Sequence, residues 1–425
     1  MQEIFYNGKI ISNNENQDIV DAMIVNEGSI FFAGSNDEVL NLKTDDTKEN
    51  DLKEYYVYPT LFDIQTSVFE QIDRKVKSAK KIQKIQFSDD IDENYENFEN
   101  FEAYKTEYFK LEKQYIKNGI TTICEKNIDK LAFAFWKKMA DEKLLNIDVV
   151  GYVDLVGSKQ VMDDNCVTYR KYRNHFRLGG YNIKIDGKVQ ELKAWLSKPY
   201  SGTKSHYGAG EFYGEHLYYI LKTALEERKQ ILFETYGDKA LCEVLTVLSE
   251  IEKKDKITDF YRPLFYGVNV LSKTLVSQIK HFDGTVIFEE YSKDETKQIK
   301  KFLGFLRVRK YHNYQFLRKQ NLRFMVLNKQ FQFQNFSAVL SLWLSNNRIL
   351  NKIKTNSMVK DNFNRFINQL IYHNPAYICF DQDTKATLET QRKADFMIVT
   401  KEIFESIKEV EKNIKSVYVR GQKKY

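Results

Sequence analysis

The sequence predicts an α/β fold: a parallel barrel or a doubly wound sheet in the middle of the chain, with a small β domain built from its two ends. Three observations carry this. From about residue 120 to 375, short apolar strands alternate with segments of helical period. The first 57 residues and roughly the last 50 read instead as short strands and turns. The 425 residues are 42% hydrophobic and 14% aromatic, enough for a sizeable packed core.

The elements follow in order. "EIFYNGKIIS" reads as strand, turn at Asn7-Gly8 and strand, the pattern of a hairpin. "AMIVNEGSIFFAGS" repeats it around Asn26-Glu27-Gly28. Residues 70–118 are helical in period and include the acidic run "DDIDENYENFENFE", read as an exposed helix or loop. Strands are then expected at "GITTICE", "NIDVVGYVDL", "GGYNIKIDG", "QILFETYGD", "PLFYGVNVLS", "GTVIFEEY" and "LRFMVLN". Helices are expected near 128–143, 211–228, 239–252, 335–347 and 359–373. "KADFMIVT" and "SVYVRGQKKY" return to strands, the second turning at Arg420-Gly421. The expected division is residues 1–57 with 376–425 in a composite β-sandwich and 58–375 in the βα unit.

Charge and cysteine content narrow the function classes. The net charge of +6 comes from 65 basic and 59 acidic residues, largely intermixed, which reads as a solvated surface and not a nucleic-acid footprint. The four cysteines, Cys124, Cys166, Cys242 and Cys379, show no paired spacing and read as reduced core thiols. No apolar run reaches the ~18 residues of a membrane span. A soluble, cytoplasmic protein is therefore expected, with a small-molecule ligand, no nucleic acid or membrane partner, and scope for a homo-oligomer.

One strand end stands out. In "EYYVYPTLFDIQTSVFE" the alternation places Asp63, Gln65 and Ser67 on one face of an otherwise apolar strand. That motif belongs to an ordered set. "YNGKIIS", "AMIVNEGSIFFAGSNDEVL", "VYPTLFDIQTS", "KPYSG", "FETYGDKAL", "HNPAYICF" and "KADFMIV" together resemble the amidohydrolase superfamily, in particular its N-substituted formamide deformylase-like metal-dependent hydrolases. The resemblance spans nearly the whole chain. It implies a TIM-like (β/α)8 barrel with a β-sandwich from both termini. It also implies one or two divalent metals such as zinc at the strand C-terminal ends, activating water to hydrolyse C–N bonds.

Carried over position by position, the resemblance implies a metal centre whose ligands are replaced. Gln65 and Ser67 stand where the family has His-x-His, and Glu234 where it has a His. Tyr266 and Gly267 replace a Glu-His pair; Asn328, Lys329 and Gln330 replace Gly-Ser-Asp. The family's bridging lysine falls on Lys184 or on Asn182, depending on whether Asp186-Gly187 anchors the alignment. An amide and a hydroxyl are poor zinc ligands, so no metal, cofactor or catalytic residue is expected. The six histidines do not restore the set, since none pair at i, i+2 or i, i+4, although His206 lies in a Gly-rich loop that could overhang the mouth.

The candidate ligand pocket is thus Asp63, Gln65, Ser67, Lys184, Glu234, Tyr266 and Gln330. Without a dication, Lys184 is expected to stay unmodified and to pair with Glu234, because a buried unpaired carboxylate is costly. Three functions follow: a catalytically impaired amidohydrolase homologue that keeps a binding pocket, an active hydrolase with an atypical mononuclear or metal-free site, or a non-catalytic interaction subunit.

Overall fold

The fold is taken from a computed structural model, which describes residues 2–79, 100–328, 357–403 and 410–425. Eight parallel strands form the central sheet: β8 (Leu61–Thr66), β9 (Ile120–Ile128), β10 (Asp148–Asp154), β11 (Phe176–Lys184), β12 (Ile231–Glu234), β13 (Leu264–Tyr266), β14 (Thr285–Glu290) and β15 (Phe324–Asn328). Each pairs in parallel with the next in sequence, giving a nearly closed barrel. Helices such as Lys130–Asp141, Gly214–Glu226 and Asp238–Asp255 return the chain between strands and bury one apolar face each. The expected helix at 335–347, most of the acidic run and Gln330 lie outside the described residues.

The chain ends build two further sheets. One joins β1 (Glu3–Tyr6), β4 (Ala22–Asn26), β5 (Ser29–Gly34) and β6 (Lys48–Asp51). The other joins β2 (Lys9–Ile11), β3 (Ile19–Val20) and β7 (Tyr56–Pro59) to β16 (Phe396–Val399), β17 (Ile414–Val419) and β18 (Gln422–Lys423). The seam between the termini is the antiparallel pair β7–β16, with Phe396 opposite Pro59 and Val399 opposite Tyr56.

Two of the three turn signals form hairpins. Glu27 and Gly28 have φ of 48° and 79°, Arg420 and Gly421 of 47° and 71°; each pair closes a two-residue turn between antiparallel strands. The Asn7-Gly8 turn does something else. β1 pairs with β4 and β6, whereas β2 pairs with β3 and β7, so this turn carries the chain from one sheet to the other.

The floor of the barrel, at the strand N-terminal ends, is joined to the terminal segments by buried charge. Asp148, at the start of β10, is fully buried, with His175 Nδ1 at 2.6 Å, Lys385 and Arg420 at 2.8 Å and Lys393 at 3.4 Å. Burial opposes its ionisation, but the surrounding cations outweigh burial and hold its carboxyl well below the usual range. Lys385 also donates to Thr122 Oγ1 at 2.6 Å and lies 3.4 Å from Asp395. Residues 381–395 are thereby fastened under the barrel. Close by, Asn374 Nδ2 donates to the Phe324 carbonyl at 2.8 Å, where β15 begins.

Candidate functional site

The C-terminal ends of β9, β11, β12, β13 and β14 bring a polar cluster together at the barrel mouth. Glu234 closes β12, and its side chain is only 5% exposed. One of its oxygens takes the Lys126 ammonium at 3.1 Å, and the other accepts from Asn182 Nδ2 at 3.2 Å. Asn182 also donates to Asn127 Oδ1, and its own Oδ1 is buried without a hydrogen-bond partner among the described residues. Lys126 lies 4.8 Å from the centre of the Tyr266 ring. The Tyr266 hydroxyl donates to Glu289 Oε1 at 2.5 Å. Burial, reinforced by the neighbouring Tyr236 and Tyr291, pushes the Tyr266 phenol far up, so it remains a donor.

Local structure fixes these positions. Tyr236 packs edge-on against Tyr266, with ring centres 6.0 Å apart. Gly267 makes room for this: its φ is +81°, and an added Cβ would lie 2.6 Å from the Tyr236 ring. Asp186, just past β11, accepts backbone N–H bonds from Trp195, Tyr236 and Gly237 at 2.8, 2.7 and 2.8 Å. It thus ties the loops after β11 and β12 together. Burial pushes its carboxyl up to about 7 against those three donors.

The sequence expectations divide at this point. Glu234 and Tyr266 are in the cluster. Lys184 is not: its side chain is 48% exposed and pairs with Glu211 in the following loop. The lysine facing Glu234 is Lys126 of β9, and Asn182, two residues before Lys184, points into the mouth. Glu234 therefore has its cation already, and Lys184, the last residue of β11, turns outward to Glu211.

Asp63 is also elsewhere. Its carboxyl accepts from the hydroxyl of Tyr115, on the helix Phe101–Lys117 that packs outside the barrel. Burial is the main cause of a pKa raised to about 8; Tyr115 opposes it and Glu125 adds to it. The strict alternation read from the sequence breaks between Ile64 and Thr66, where the β8–β9 register shifts. Ser67 sits at the junction of β8 and the helix Val68–Ala79, its carbonyl accepting from the Gln71 N–H at 3.1 Å. The Gln65 side chain, like Gln330, lies outside the described residues. His206 bonds the Leu192 carbonyl through Nε2 at 2.8 Å and stacks on Tyr200.

Lys126, Asn127 and Glu289 went unassigned in the sequence. The expected strand "GITTICE" stopped at Glu125, short of the observed end at Ile128, although Lys126 keeps the parity of Thr122 and Cys124. Nothing local marks Glu289, which follows the apolar run Val286–Phe288 and precedes a second glutamate, Glu290.

Glu234 and Glu289 are the carboxylates that the described part of the cluster could offer a divalent metal. An ammonium has no lone pair to offer, Tyr266 is held as a phenol and Asn182 supplies only an amide. Among the described residues, no three His, Cys, Asp or Glu side chains converge as metal ligands. Nor, among those residues, is any helix long and apolar enough to cross a membrane.

No family model matches the chain, and no curated protein does. Solved structures do. An uncharacterized metal-dependent hydrolase from Pyrococcus horikoshii OT3 aligns with a TM-score of 0.75 and 16% identity, over 97% of this chain and 100% of that one. An uncharacterized metal-dependent hydrolase from Pyrococcus furiosus gives 0.71 and 14%, over 95% and 99%. An adenosine deaminase from Xanthomonas campestris with bound zinc gives 0.61 and 9%, over 99% and 92%. The likeness is one of fold: a TIM-like barrel with a β-sandwich, as metal-dependent hydrolases have it.

Proposed function

We propose that this chain is an amidohydrolase-like protein in which metal-dependent hydrolysis of C–N bonds has been lost, and whose barrel mouth binds a small polar molecule. The fold supports the ancestry, since its neighbours include metal-dependent hydrolases. The observation that carries the loss is the Lys126–Glu234 pair at 3.1 Å. A carboxylate at that strand end is the natural ligand for a hard cation, and here an ammonium occupies it. A lysine cannot polarise a carbonyl as a Lewis acid does, nor lower the pKa of a coordinated water.

The binding role rests on what the cluster still offers. Asn182 Oδ1 is an acceptor without a partner among the described residues, Lys126 is a cation 14% exposed, and Tyr266 presents a ring beside it. Together they suit a ligand with an N–H donor and an anionic or π-accepting group.

The test uses the full-length protein. Hydrolysis of a panel of N-acyl, N-formyl and cyclic amide substrates is measured with and without added zinc or manganese. The expected result is background turnover in every case, together with ligands that raise the melting temperature of the native protein but not of Asn182→Ala. Metal-dependent turnover that disappears in Glu234→Gln would instead favour an active hydrolase with an atypical site.

A further inference from the structure

Cys124, in the middle of β9, and Cys379, at the end of the helix Asn374–Ile378, are 255 residues apart in sequence. The fold sets their Sγ atoms 3.2 Å apart, with the residues 0% and 2% exposed. Neither is in a disulfide. Both lie in the core, as the sequence reading expected of all four cysteines; Cys166 is exposed and Cys242 half-buried, which that reading did not expect.

The contact is fixed from both sides. Cys124 is held by the β9 ladders to β8 and β10, where it faces Ile64 and Val150. On the other side, three successive carbonyls of the segment carrying Cys379 are gripped by side chains of the barrel. Arg262 Nη1 donates to the Tyr377 oxygen at 2.5 Å and Gln230 Nε2 to the Ile378 oxygen at 3.1 Å. Arg177 Nη2 donates to the Cys379 oxygen and to Asp381 at 2.9 Å. In the closed fold these bonds hold the two cysteine backbones side by side.

We infer that Cys124 and Cys379 are a disulfide-forming pair, a redox-dependent staple between the barrel wall and the segment that leads back to the β-sandwich. The oxidant is a low-molecular-weight disulfide. One cysteine thiolate attacks an oxidant sulfur, forming a mixed disulfide and releasing one thiol. The second protein thiolate then displaces the remaining half. The protein loses two protons and two electrons, and the oxidant becomes two thiols. Burial pushes the Cys124 thiol up, and no oxidant reaches it in the closed fold. Reaction therefore follows transient opening of residues 374–381, or precedes their docking during folding. Reclosure then seals the new bond from reductant. Because it closes so long a loop, the bond restricts the unfolded chain strongly.

The test uses full-length protein carrying Cys166→Ser and Cys242→Ser, which removes the two other thiols. The folded protein is incubated with oxidised glutathione across a series of sub-denaturing urea concentrations, then denatured, alkylated and mapped by peptide mass. The expected product is a Cys124–Cys379 linked peptide lacking two hydrogen atoms, its yield rising as urea speeds local opening. Complete alkylation of both cysteines at every urea concentration, or glutathione adducts on each without the linked peptide, would overturn the proposal.

Discussion

The Lys126 ammonium stands 3.1 Å from the Glu234 carboxylate, with side chains only 14% and 5% exposed. The two residues come from different barrel strands, and each is the other's main charge partner. Removing one leaves the other desolvated and unpaired. Lys126→Met is expected to destabilise the fold by about 3–5 kcal/mol. The double variant Lys126→Met/Glu234→Met should recover most of that loss, because an apolar pair of similar volume is tolerated where a lone charge is not. Urea unfolding midpoints of the two singles and the double check this. Additive losses would contradict it.

Asp63 makes stability depend on pH. Its folded pKa is raised from the ordinary 3.8 to about 8. Between those values the folded chain holds a proton that the unfolded chain has released. Asp63 therefore stabilises the fold fully below its unfolded pKa, and that contribution fades as pH rises through about 8. The slope reaches at most about 1.4 kcal/mol per pH unit. Asp63→Asn, which keeps an acceptor for Tyr115, should flatten the decline in unfolding free energy between those limits. An unchanged slope would show that the proton sits elsewhere.

Glu125 holds the start of a helix. Its two oxygens accept from the Val68 and Phe69 N–H groups, each at 2.8 Å, at the positive end of the helix Val68–Ala79. Glu125→Gln keeps one acceptor and removes the charge. The expected cost is about 1–2 kcal/mol, with faster amide hydrogen exchange across residues 68–79. Exchange that stays the same there would contradict the assignment.

Asp148 is the hinge of the floor network. Asp148→Asn strips the counter-charge from Lys385, which is itself 3% exposed and has Asp395 as its other carboxylate partner. The expected loss is about 3–5 kcal/mol, seen as a lower thermal midpoint. A loss under 1 kcal/mol would mean that Asp395 and water compensate the lysine.

What could be read from the sequence follows a physical line. Alternation of strand and helix is local, so the barrel strands from "GITTICE" to "LRFMVLN" were legible. Asn26-Glu27-Gly28 and Arg420-Gly421 were legible because the glycine supplies a positive φ that the turn requires. Asn7-Gly8 carries the same sequence signal, yet Gly8 lacks that positive φ and the flanking strands enter different sheets, and no local feature encodes that. At the site, Glu234 and Tyr266 were found because strand ends point to the mouth. Asp63 was misplaced because a register shift after Ile64 breaks the parity on which the reading depended. Lys184 and Asn182 share one parity, so the sequence leaves both open for the family lysine's place, and only the three-dimensional contacts choose between them. Lys126 and the Cys124–Cys379 contact depend on chain segments brought together from far apart.

The central claim is that an ammonium, not a metal ion, neutralises Glu234. The direct measurement is metal stoichiometry by elemental mass spectrometry on full-length protein incubated with excess zinc and manganese and then desalted, for native chain and Glu234→Gln together. The account predicts well under one equivalent of either metal in both. A full equivalent in the native chain that is absent from Glu234→Gln would contradict it.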